Sequence, residues 1–94
     1  MLRVDFPITV FYDPSGAPLA DGYVYISLTD DALSPDGQIC GNLPLKVALD
    51  GTGTMIVVPQ VYPCVALLPN DVLYSFAAYT AIGEMVSGPE FVSV

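Results

Sequence analysis

Enzymatic chemistry needs side chains that can take up a proton, attack a substrate or hold a metal, and this 94-residue chain has few of them. It has no histidine, so Ser-His-Asp and Cys-His nucleophile activation are excluded, along with the commonest metal ligand. Two cysteines, Cys40 and Cys64, cannot complete a zinc site by themselves. Gly51-Thr52-Gly53 lacks the further glycine and the helix that a phosphate-cradling loop requires. The densest group of acids is Asp30, Asp31 and Asp36. Paired carboxylates serve glycoside hydrolysis, and carboxylates on a loop suit calcium. Their spacing is not that of a calcium loop, and the simpler reading is that they solvate a loop and cap its turns. No catalytic residue, cofactor or metal is expected.

Cys40 and Cys64 could pair if their segments are neighbours; cytosolic synthesis favours free thiols instead. The tyrosines offer another kind of chemistry. Tyr23 and Tyr25 alternate with Val24, Ile26 and Leu28, and Tyr79 alternates with Tyr74 and Phe76. On a strand, that parity puts Tyr23, Tyr25 and Tyr79 on the face away from the core. Such tyrosines either half-cover an outer sheet face or form an interface, where tyrosine is enriched. They could also stack a sugar, although the chain has no tryptophan and few neighbouring polar groups.

The elements that must position these residues read as strands. Tyr23–Thr29 and Val72–Thr80 alternate cleanly, and Leu43–Leu49 places Leu43, Leu45, Val47 and Leu49 on one side with Lys46 on the other. Phe6–Tyr12 reads as a first strand and Gln38–Cys40 as a short edge strand. Asp50-Gly51-Thr52-Gly53 predicts a tight hairpin into Thr54–Val58. Pro59, Pro63 and Pro69 exclude a helix interior, which leaves Cys64–Leu68 as a short strand or a packed loop. Met85–Ser87 and Pro89–Val94 read as the last strands, separated at Gly88-Pro89. Apolar runs at Met55–Val58 and Cys64–Leu68 predict burial on both faces. The expected core is Val24, Ile26, Leu28, Leu45, Val47, Leu49, Ile56, Tyr74 and Phe76. No segment has helical periodicity, and the turns recur as in a β-sandwich or small barrel. The fold class is all-β, a single small antiparallel β-sandwich of about seven strands over residues 1–94.

Composition narrows the function. The chain is 53% hydrophobic and 13% charged, against roughly 25% charged in ordinary domains. Small domains have the most surface to cover, so apolar surface is expected to be covered by neighbouring subunits. Ten acids against Arg3 and Lys46 give a net charge of −8. That balance provides no basic patch for nucleic acid and disfavours an anionic membrane surface. No run approaches the length of a membrane span, and Asp5 and Pro7 interrupt the N-terminal segment where a signal peptide would be apolar. A product made in the cytoplasm, without membrane insertion, is expected.

The series Asp13-Pro14-Ser15-Gly16-Ala17-Pro18-Leu19-Ala20-Asp21-Gly22-Tyr23-Val24 resembles the D-x-x-G-x-P-L-A-x-G-x-V opening of prealbumin-like and carboxypeptidase-regulatory-like β-sandwich domains. Gly37-Gln38-Ile39-Cys40, Leu49–Gly53, Leu68-Pro69-Asn70-Asp71, Tyr74–Ala81 and Gly88-Pro89-Glu90-Phe91 are similar to small domains of tailed-phage and prophage structural proteins. These are mostly turn motifs, spread over nearly the whole chain. The resemblance implies an immunoglobulin-like or prealbumin-like sandwich. It also implies a virion subunit in a tail, fibre or capsid surface, made in the host cytoplasm and partnered by its own copies and other virion proteins. It carries no catalytic residues. The alternatives are a surface adhesion or carbohydrate-binding module and an extracellular filament subunit.

Overall fold

A computed structural model describes residues 3–94. The described residues form eight strands: β1 (Val4–Asp5), β2 (Tyr23–Leu28), β3 (Ala32–Leu33), β4 (Ile39–Cys40), β5 (Leu45–Ala48), β6 (Gln60–Val61), β7 (Tyr74–Tyr79) and β8 (Met85–Val92). A 3-10 turn, Cys64–Ala66, follows Pro63. All strand pairs are antiparallel. The main sheet has the order β5-β2-β7-β8, and β1-β6 and β3-β4 form two-stranded ladders. The fold is all-β and sandwich-like, with a regular sheet as one layer and ladders and bridged loops as the other.

β2 is the organising strand. Its residues alternate between half-buried and buried, as the sequence pattern requires. Val24 pairs with Val47 and Ala78, and Ile26 pairs with Leu45 and Phe76, so three strands present one apolar face. Phe6, Phe11, Leu19, Met55 and Leu67, all outside the main sheet, close over that face. Phe6 is fully buried and meets Tyr74 and Phe76 edge-on, with ring centroids 6.1 and 5.9 Å apart. Phe11 meets Phe76 at 6.3 Å. The Tyr74 hydroxyl donates to the Tyr62 carbonyl at 3.0 Å, which satisfies a polar tip inside the core.

Several expectations are corrected. Leu45 shares the core-facing parity of Val47 but lies at the sheet edge and is 50% exposed. Ile56 is 63% exposed, and Met55 takes the core position instead, paired by a bridge with Leu49. The run 55–58 is therefore not buried on both faces, and neither is 64–68, where Cys64 and Leu67 turn inward while Val65 and Leu68 face outward. The 3-10 turn accounts for the second case, because its residues do not alternate as a strand does. Phe6–Tyr12 meets Thr54–Val58 through an isolated bridge, Val10 to Thr54, and meets its own following segment through another, Tyr12 to Pro18, rather than by a ladder. Gly88-Pro89 does not end a strand: β8 passes through it with a register irregularity against β7, and Gly88 has a positive φ of 103°.

Two acidic turns are built by the same device. Asp13 Oδ1 accepts Ser15 N, Ser15 Oγ and Ala17 N at 2.9, 2.6 and 3.1 Å. Asp50 Oδ1 accepts Thr52 N, Thr52 Oγ1 and Thr54 N at 2.8, 2.6 and 3.2 Å. The side-chain hydrogen bonds from Ser15 and Thr52 contribute most to holding both carboxyls below their ordinary pKa. Each turn ends on a glycine with positive φ, Gly16 at 87° and Gly53 at 76°.

Removing Phe6 tests the irregular layer. Phe6→Ala is expected to cost about 3–5 kcal/mol in urea unfolding, whereas Ile56→Ala should stay within about 0.5 kcal/mol of wild type. Equal costs would contradict this assignment of the core. Depressed carboxyl pKa values stabilise the fold above the ordinary value of 3.8, and this contribution is lost as pH falls through the lower folded values. Between about pH 5 and about pH 3, wild type should therefore lose more stability than an Asp13→Ala/Asp50→Ala double variant. Parallel pH profiles would remove the role assigned to these turns.

Candidate functional site

The outer face of the main sheet carries the residues that its parity predicts. Tyr23 pairs with Tyr79, and Tyr25 with Lys46 on one side and Ala77 on the other. The structure thus brings Tyr23, Tyr25 and Tyr79 together. Tyr23 and Tyr79 stack with centroids 5.2 Å apart and planes 12° apart. Tyr25 stands edge-on to both, at 5.5 Å from each and with an interplanar angle of 84°. All three are half-buried. This is a packed aromatic cluster rather than three separate side chains.

Lys46 belongs to the same cluster. Its Nζ lies 4.3 Å from the centroid of the Tyr23 ring, within cation–π range. β5 and β7 flank β2 on opposite sides, so Lys46 and Tyr79 reach Tyr23 from opposite directions and cover both faces of its ring. A sugar stacking on Tyr23 would have to displace one of them. Sequence parity placed Lys46 opposite Leu45 and Val47. It could not reveal that β5 lies beside β2, and that neighbour relation is what puts the cation on the tyrosines.

The acids do not converge. Asp30 Oδ1 accepts Asp31 N at 2.8 Å, Asp31 Oδ1 accepts Asn42 N at 2.9 Å, and Asp36 Oδ2 accepts the Tyr62 hydroxyl at 2.5 Å. Each carboxylate fixes a different piece of loop. The Asp36 bond, the largest cause, also raises the Tyr62 pKa above its ordinary value. Among the described residues, no three histidine, cysteine, aspartate or glutamate side chains gather as a metal site would require. Cys40 and Cys64 are free thiols, half-buried and buried respectively.

An open groove of about 330 Å³ runs along β5, between Leu45–Ala48 and Ile56, Val57 and Pro59. Its lining is apolar apart from Lys46 and the backbone. The Ile56 N–H donates to the Ala48 carbonyl at 3.1 Å and closes one end of that sheet edge. Carboxylates are thus dispersed over the loops, and aromatics are concentrated on one face of the main sheet.

The stacked pair can be measured directly. A double-mutant cycle of Tyr23→Ala and Tyr79→Ala, read by urea unfolding, should give a coupling of about 0.5–1.5 kcal/mol. Additive losses would mean that the rings merely lie near one another. In comparisons with known proteins, the chain matches no family model, no curated protein and no solved structure.

Proposed function

We propose that this chain is a non-enzymatic structural subunit that works by assembling with copies of itself, as a building block of a tailed-phage virion. The observation that carries the reading is the outer face of the main sheet, where Tyr23, Tyr25 and Tyr79 form a cluster over which the described residues place no second layer. Aromatic area of this kind supplies contact energy with little side-chain entropy to lose. The low charge and the exposed apolar residues Leu43, Ile56, Val57 and Val65 point the same way. The location in a virion is supported by the turn motifs that resemble tailed-phage structural domains. Coverage of both Tyr23 ring faces weighs against a sugar-binding module.

The net charge of −8 opposes association between like subunits, and salt screens that repulsion over about 8 Å at physiological ionic strength. Light scattering of the full chain should show an oligomer that strengthens from low salt to about 0.15 M. Tyr25→Asp should raise the dissociation constant at least about tenfold, or 1.4 kcal/mol. A monomer at high concentration and moderate salt would overturn the assembly reading. Peptide mass spectrometry of purified virions tests the location.

A further inference from the structure

Both open edges of the main sheet discourage strand addition. On β5, Pro44 removes a donor just ahead of the strand, Lys46 adds charge, and Ile56 occupies the Ala48 carbonyl. On β8, Gly88-Pro89 interrupts the ladder register and Glu90 adds charge. Assembly through strand edges is therefore disfavoured, which leaves contacts made by faces.

A second apolar surface lies on the β3–β4 hairpin. Ala32 pairs with Cys40, and both pack toward the core. Leu33 pairs with Ile39 on the opposite side, facing away from the core. Leu68 joins them through a bridge to Leu33, with backbone N–H to carbonyl bonds of 2.7 and 3.0 Å in the two directions. The result is a strip of three register-matched apolar side chains, with Ile39 73% and Leu68 61% exposed. The same hairpin and its approach carry Asp30, Asp31 and Asp36, all exposed. The tyrosine face, in contrast, carries Lys46, one of only two cations in the chain.

From these unlike surfaces we propose that the β3–β4 hairpin of one copy docks on the tyrosine face of the next, a heterologous contact between copies of this chain; it rests on the assembly reading above. Charge complementarity selects this pairing. Two tyrosine faces in contact would bring one Lys46 toward another, and two hairpins would bring acids toward acids. Hairpin on tyrosine face sets apolar strip against aromatic cluster and carboxylates against the lysine. A standard interface needs about 800 Å² per partner, a modest share of the 5415 Å² that one chain exposes. Because the two surfaces differ, a pair of copies keeps one hairpin and one tyrosine face free, and the contact propagates into a ring or a filament.

Complementation between two surface variants of the full chain tests this. Tyr25→Asp spoils the face and Ile39→Asp spoils the hairpin strip, and circular dichroism verifies that both remain folded. The expected result is that wild type assembles and each variant alone is monomeric. An equimolar mixture should then give a species of about twice the 9.9 kDa of one chain, because one intact face meets one intact hairpin. If wild type assembles but Ile39→Asp assembles equally well, or if both variants are monomeric and their mixture stays so, the heterologous contact is wrong and the assembly reading stands. A monomeric wild type overturns both.

Discussion

The irregular layer is held in shape, and tied to the end of β2 and β5, by a close approach of backbones around the turn Asp50–Gly53. Gly53 meets Phe11 so closely that a Cβ would run into the Phe11 carbonyl and lie 2.9 Å from the Leu19 nitrogen. The Phe11 N–H donates to the Gly53 carbonyl at 2.9 Å, and the Leu19 N–H to the Phe11 carbonyl at 3.0 Å. Close by, Asp21 N donates to the Asp50 carbonyl and Leu49 N to the Gly22 carbonyl. Gly22 is equally confined, since a Cβ there would collide with the Tyr79 carbonyl. These contacts seat Phe11 and Leu19 on the core and set β2 between its neighbours. The Asp50 carboxylate makes the turn rigid enough to hold that position.

This constraint explains why a chain with so little regular structure in its second layer still forms a core. Isolated bridges and two-residue ladders contribute few hydrogen bonds each, so the layer depends on the large side chains it inserts. Phe6 and Leu67 are completely buried, and Phe6 and Phe11 reach the same ring, Phe76. Burying side chains of this size from loop segments replaces the second sheet of a regular sandwich.

The same economy shapes the surface. Net negative charge keeps separate copies apart at long range, while the apolar and aromatic groups act only at contact. Proline, lysine and glutamate on the outer strands suppress indiscriminate edge pairing. The proposed association is thereby left to side-chain surfaces, whose fit depends on shape and sign of charge.

The sequence by itself determined the parity of β2 and β7, because a strand alternates its side chains whatever it pairs with. It therefore placed Val24, Ile26, Leu28, Tyr74 and Phe76 inside and Tyr23, Tyr25 and Tyr79 outside. The turns at Asp13 and Asp50 were legible for a similar reason: their carboxylates bond backbone groups two and four residues away. Parity said nothing of how far a strand lies from the sheet edge, so Leu45 read as core and is exposed; Ile56 read as core because its segment reads as a strand, and Met55 holds that place instead. Burial of Phe6 was hidden, and the runs 55–58 and 64–68 read as buried throughout, because irregular segments have no period to show that Met55, Cys64 and Leu67 turn inward while their neighbours face out. That Lys46 reaches Tyr23, and that Leu68 aligns with Leu33 and Ile39, follow from which strands become neighbours. Those neighbour relations join residues far apart in the chain, and only the tertiary packing of the two layers decides them.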